Sequence, residues 1–186
     1  VSRGTDVTVD LTARIVALHG AFDRAALPHA FGGALALAWC TQQARGTIDI
    51  DVNLFVDAGR APEIFAALPT EVTWTEEDVA QVERDGQVRC WWETTPVDLF
   101  ANTTAFHEQA AARVRRELFA GTEVPFLDCG DLAVFKAFFD RTRDWADLEA
   151  MLEAGTLDVE AVVGVLARHL GADDHRIERL LDLASS

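Results

Sequence analysis

Two glycines, Gly32-Gly33, precede a short segment rich in Ala and Leu. The chain then runs Arg45-Gly46-Thr47-Ile48-Asp49-Ile50-Asp51-Val52-Asn53-Leu54-Phe55-Val56. The alternation over Thr47 to Val56 predicts a strand, which would point Asp49 and Asp51 to one side, ~6.5 Å apart along it. Carboxylates that close repel unless a cation lies between them. Magnesium takes one or two carboxylates and fills its shell with phosphate oxygens. Glycines opening a helix supply the complement, bare N–H groups aimed at a phosphate. Chemistry on a nucleoside triphosphate is what such residues could do. Asp98, within Pro96-Val97-Asp98-Leu99-Phe100, offers a third acid from a neighbouring strand. With it the set could hold one or two magnesium ions, which would activate an attacking oxygen and steady the departing pyrophosphate. Taken alone, Asp-x-Asp also suits a solvated strand edge, and Asp98 suits a strand end.

Further along stand Lys136 and Arg141, then Asp144 and Asp147. Positions five apart on a helix lie ~140° around its axis, so Lys136 and Arg141 could both reach a cavity that the helix flanks. With Phe135, Phe138 and Phe139 toward the core, Lys136 is expected to reach out of it; an ion pair with Asp140 is the plainer alternative. Lys136 is the one lysine beside fifteen arginines. Codon bias accounts for that surplus, and a compact ammonium suits a phosphate. Asp144 and Asp147, three apart, share a helix face, although Asp144 could equally cap a helix starting at Trp145. Arg168 and His175 match an R-x6-H spacing, but Gly171 and Asp173 interrupt it. His19, His29, His107 and His169 are too scattered to form a ligand set; His29 could line a pocket near Gly32, or simply be packed.

The elements that must position these groups are legible from periodicity. Helices are predicted over 7–27, 34–44, 61–68 and 76–84, and strands over 29–31, 47–56, 71–75, 87–93 and 96–100. Short strands follow in 117–127, broken at Gly121 and Pro125. Beyond Asp128 the pattern is helical: 131–141, 144–154, 158–170 and 173–184, each begun near an Asp that can cap it. A mixed α/β part, residues 1–128, therefore precedes a helical part, 129–186.

The 186 residues are 49% hydrophobic and 25% charged, the balance of a globular protein. No run of about 18 apolar residues predicts a membrane span, and the first residues carry no apolar signal core, so a cytoplasmic protein without membrane contact is expected. Cys40, Cys90 and Cys129 lack metal-ligand spacing and read as buried thiols. A net charge of −15 argues against broad nucleic-acid binding but leaves room for a confined basic patch.

The order Gly-Gly, Arg-x-Thr-x-Asp-x-Asp, Lys-x4-Arg, Asp-x2-Asp resembles the nucleotidyltransferase toxins of the AbiEii and MenT type, within the polymerase-beta-like nucleotidyltransferase superfamily. The matching positions are Gly32, Gly33, Arg45, Thr47, Asp49, Asp51, Lys136, Arg141, Asp144 and Asp147, with Asp158 as a candidate for a final isolated Asp. They span about residues 28–160. Gly33 departs from the Gly-Ser common in the superfamily, removing one hydroxyl bond to phosphate while the backbone amides remain.

The resemblance implies an α+β fold, a nucleotidyltransferase-like mixed sheet with flanking helices followed by an α-helical C-terminal half. It further implies a toxin that transfers a nucleoside monophosphate from an NTP to the 3′ end of tRNA, blocking aminoacylation, and that is neutralised by a cognate antitoxin. Asp49 and Asp51 would hold Mg2+, joined by Asp98 on the reading of the strands given above, and Gly32 and Gly33 would cradle the triphosphate. Lys136 and Arg141 would neutralise its charge, with Asp144 and Asp147 beside them in the nucleotide site. Arg113, Arg115 and Arg116, with Arg143, would contact tRNA. Thr47, on the face of Asp49 and Asp51, would be a site where a phosphate or nucleotide silences the enzyme; its plainer role is a hydroxyl bonded to backbone. Two rival functions stand beside this one: nucleotidyl transfer to a protein or small molecule, for which an acidic pocket would suit a cationic acceptor, and a non-catalytic binding module.

Overall fold

The structure, a computed structural model, describes residues 5–44 and 46–185, with side chains from Leu11 onward; Arg45 lies outside the described residues. The chain divides into two compact units, Val1–Gly32 with Gly46–Leu127 and Gly33–Arg45 with Asp128–Ser186.

The first unit holds a mixed sheet of seven strands among the described residues: β1 (His29–Phe31), β2 (Ile50–Asp57), β3 (Val72–Thr73), β4 (Gln87–Trp92), β5 (Thr95–Asn102), β6 (Arg115–Phe119) and β7 (Thr122–Phe126). Their order is β3-β4-β5-β2-β1-β7-β6. The apolar runs of β2 and β5 pair in parallel at its centre, and Ile50, Val52, Leu54, Val97 and Leu99, which share one face of the sheet, are fully buried. Helices α1 (Thr5–Arg24), α3 (Ala61–Ala67), α4 (Glu76–Asp85) and α5 (Ala105–Ala111) complete the unit. Arg14 on α1 is itself buried, and donates to the Trp92 carbonyl and Thr95 hydroxyl at the turn joining β4 to β5.

The second unit is helical: α2 (Gly33–Thr41), α6 (Cys129–Phe139), α7 (Thr142–Glu153), α8 (Val159–Leu170) and α9 (His175–Ala184). Helix α2, placed by sequence with the α/β part, instead packs on α6 and α7. It is apolar all round (Ala34, Ala36, Leu37 and Cys40 are buried), so it needs cover on more than one side.

Several local expectations change. Cys40 and Cys129 are not thiols: they form a disulfide between α2 and α6, bridging 89 residues of sequence. Cys90 is the buried thiol, and burial pushes its pKa up to about 12. Pro125 does not break β7; it lies opposite Arg116 of β6 within the ladder. Helix α5 is absent from the periodicity, being one short stretch of seven residues. The caps of the last helices include Asp128, Asp158 and Asp174, each accepting a backbone N–H of its own first turn. No helix among the described residues is long and apolar enough to cross a membrane.

Candidate active site

Strand β2 begins at Ile50, so Asp51 is in the sheet and Asp49 just before it. Asp51 lies in register with Asp98 on β5, and Asp98 with Arg89 on β4. Directly opposed residues share a sheet face with neighbouring strands about 4.8 Å apart, so these three form a row across the sheet. The Arg89 guanidinium donates twice to Asp98, at 2.7 Å from Nε to Oδ1 and from Nη2 to Oδ2. The same Nη2 lies 3.5 Å from Asp49 Oδ2. The hydrogen-bonded Asp98, then the charges of Asp49 and Asp51, hold Arg89 firmly in its protonated form.

Arg89 is the site residue that sequence reasoning missed. A signal was present: a two-residue turn, Glu93-Thr94, joins β4 to β5, and such a hairpin fixes the register that pairs Trp92 with Thr95 and Arg89 with Asp98.

Gly32 closes the end of β1 beside this row. Its N–H donates to the Asp51 carbonyl at 2.9 Å. A Cβ on Gly32 would stand 2.8 Å from Asn53 Nδ2 and 3.2 Å from Leu127 Cδ1, so only glycine fits without displacing a neighbour. Asn53 is buried and falls two residues after Asp51 on the same sheet face. Gly33 takes a left-handed backbone, φ +52°, as it enters α2. Thr47 precedes the strand. Its hydroxyl accepts the Asp49 N–H at 3.1 Å and lies 3.3 Å from the Asp49 carbonyl, the backbone-bonded arrangement.

The second unit gathers the other four residues of the pattern. Lys136 does not reach out of the core: it is buried, donating to Asp147 Oδ2 at 2.5 Å, with Asp144 Oδ1 at 3.6 Å. Nor does it share a helix with Arg141, because Asp140 adopts a left-handed backbone (φ +55°) and ends α6. Arg141 precedes α7 and grips Asp144 with Nε at 2.6 Å and Nη2 at 3.1 Å. Asp144 is not a cap for Trp145; it sits in the first turn of a helix that starts at Thr142, and accepts the Arg141 N–H at 3.3 Å. Asp144 and Asp147 do share a face of α7, and both are buried. Asp140 is not the partner of Lys136 but accepts from Trp145 and His175.

The remaining candidates separate. Asp158 is a helix cap, its carboxylate accepting the Ala161 N–H. Arg115 and Arg116 lie on β6, paired with Glu117 at 2.9 Å and Glu123 at 3.7 Å. Arg113 is exposed just before them, whereas Arg143 belongs to α7 of the second unit. Arg168 and His175 lie on different helices, α8 and α9. His29 is buried at the opposite end of β1 from Gly32; its Nδ1 bonds the Leu27 carbonyl at 2.8 Å and its Nε2 meets His19 Nδ1 at 2.9 Å.

Whether the acids suit a metal follows from their partners. Among the described residues, no three His, Cys, Asp or Glu side chains are gathered closely enough to hold an ion. Asp98 is turned to Arg89, so the expected three-acid set is not assembled. Asp49 and Asp51 are two hard oxygen donors at the start of β2, a donor pair that fits an ion whose other ligands are phosphate oxygens.

This arrangement sits on a known fold. The chain resembles the antibiotic-resistance factor ANT(2″)-Ia in solution, with a TM-score of 0.55 at 15% identity over 95% of this chain and 90% of that one. It also resembles an antigenic nucleotidyltransferase-like protein from Paracoccidioides brasiliensis, with a TM-score of 0.54 at 11% identity over 96% and 92%. ANT(2″)-Ia in complex with adenylyl-2″-tobramycin matches with a TM-score of 0.50 at 16% identity over 97% and 95%. No family model matches the chain, and no curated protein does. The fold is thus that of nucleotidyltransferases.

Proposed function

We propose that this protein is a magnesium-dependent nucleotidyltransferase that moves a nucleoside monophosphate from an NTP to the 3′ end of tRNA, acting as the toxin of a toxin–antitoxin pair. What carries the transferase reading is one observation: Asp49 and Asp51 flank the start of a central strand on a nucleotidyltransferase fold, beside the glycine end of β1. A bound Mg2+ would supply Lewis-acid activation of the phosphoryl group and of the attacking hydroxyl. Asp49 and Asp51 would hold it. Gly32 keeps the backbone at the strand end bare, where a side chain would collide with Asn53. In the second unit, Lys136, Arg141, Asp144 and Asp147 form one ion network, with the Arg141 side chain 49% exposed and able to meet phosphate. The tRNA acceptor and the toxin role rest on the ordered motif running from Gly32 to Asp147.

A second acceptor class has its own support. A structural neighbour holds adenylyl-2″-tobramycin, and the net charge of −15 suits a small cationic acceptor. The test is label transfer. Protein, Mg2+, each α-labelled NTP and total tRNA are resolved on a denaturing gel, with Asp49→Ala as control. Label on tRNA that vanishes in the variant supports the first proposal. Label only on added aminoglycoside or protein replaces the acceptor, and the absence of any Asp49-dependent transfer rejects the enzyme.

A further inference from the structure

Arg89 stands against the acidic row of Asp49, Asp51 and Asp98. It makes two 2.7 Å hydrogen bonds to Asp98, and approaches Asp49 at 3.5 Å. A planar guanidinium fits one carboxylate with two parallel bonds. The contact to the second acid is longer and looser. The Asp98 side chain is 13% exposed and that of Asp49 25%, while Arg89 keeps 45% of its side chain in solvent. The arginine therefore has somewhere to go. If it swings out, Asp98 is freed toward Asp51, its register neighbour on the adjacent strand.

Building on the transferase reading above, we propose that Arg89 fills the place of a cation among Asp49, Asp51 and Asp98 and is displaced when a divalent ion loads with its nucleotide. Arg89 is thus a positioning residue: it keeps Asp98 out of the ion's reach until the site is filled. The consequence is a competition between one guanidinium and one divalent ion for the same oxygens. Removing the arginine takes one positive charge away from the row. A unit positive charge about 6 Å from a divalent ion, in a near-aqueous dielectric, opposes binding by roughly tenfold.

Two measurements test this without relying on turnover. Mn2+ affinity is read by electron paramagnetic resonance on the wild-type protein, Arg89→Gln and Arg89→Lys, with Asp49→Asn/Asp51→Asn as the site control. Arg89→Gln is expected to bind Mn2+ about tenfold more tightly, and Arg89→Lys, which keeps the charge, to stay within about threefold of wild type. Equal affinity in wild type and Arg89→Gln overturns the competition while leaving the acidic site intact. No Asp49- and Asp51-dependent binding in any form overturns the site itself, and with it the transferase reading. The second measurement uses the unmodified chain, so it survives a variant that fails to fold. The Arg89 Nε–H resonance is followed while Mg2+ and a non-hydrolysable NTP are added. A large shift or loss of that signal on saturation is expected; an unmoved resonance at saturation overturns displacement.

Discussion

Lys136 and Asp147, on successive helices, share a 2.5 Å hydrogen bond with both side chains at least nine-tenths buried. A buried ammonium requires a partner, because desolvation of each ion costs several kcal/mol and only good geometry offsets it. Asp147→Ala is therefore expected to destabilise the protein by about 3 kcal/mol, softened by Asp144 at 3.6 Å, as read by denaturant unfolding. The double variant Lys136→Met/Asp147→Leu replaces the pair by apolar groups and is expected to regain most of that stability. If the network serves the nucleotide, the double variant stays inactive in label transfer. Full activity there would make the network purely structural.

Gly32→Ala is expected to cost about 1–3 kcal/mol, because the new methyl meets Asn53 at 2.8 Å and Leu127 at 3.2 Å. Shortening the nearer neighbour should relieve this. Gly32→Ala/Asn53→Ser is expected to be more stable than the sum of the two single changes, a coupling that thermal melts would show. Strict additivity would mean that the collision is absorbed elsewhere.

Stability should depend on pH through His29. Burial, partly opposed by the hydrogen bond to the Leu27 carbonyl and then aided by the smaller effect of the His19 charge, lowers its pKa from 6.5 to about 4. Between those values the unfolded chain takes up a proton that folded His29 refuses, so stability falls as pH drops from about 6.5 toward 4. The full loss is on the order of 3 kcal/mol. Unfolding midpoints measured from pH 7 to 4 should slope less steeply in His29→Gln. An identical slope would assign the effect to other groups.

Thr47 gives a sign-specific expectation. Its hydroxyl is bonded to the Asp49 N–H at 3.1 Å, next to the acids. A phosphate there would add close to two negative charges. Thr47→Glu should lose at least tenfold in label transfer, and Thr47→Val, which is uncharged, should lose less. A fully active Thr47→Glu would end the idea of silencing by modification at this position.

Arg113, Arg115 and Arg116 are exposed, and two of them are already ion-paired at the surface. Such pairs are worth little and can open. Replacing all three by Gln is expected to weaken tRNA binding at low salt by an order of magnitude or more and to flatten its salt dependence. Pyrophosphate release should persist. Loss of both would show that these arginines are not devoted to tRNA.

What was legible in the sequence is local. Strand β1 was placed to the residue, and α3, α4 and β4 to within one residue at each end, because alternation, Pro62 at a helix start and the Asp85-Gly86 turn are short-range signals. The chemical residue types and their order along the chain were equally readable, from Gly32-Gly33 to Asp147. The start of β2 was not, because Thr47 turns back to bond Asp49 and so delays the strand to Ile50.

Partnership was decided in three dimensions. Arg89 meets Asp98 because a hairpin sets their register. Cys40 finds Cys129 because α2 packs with helices almost ninety residues later. Lys136, a surface charge by helix phase, turns inward because Asp144 and Asp147 await it on α7. Sequence by itself determined which groups are available and how each segment pairs with its own backbone, since those depend on neighbours a few residues apart. Only the tertiary structure determined which charges neutralise one another, since Coulomb energy depends on distance in space and on burial, and neither is a property of chain order.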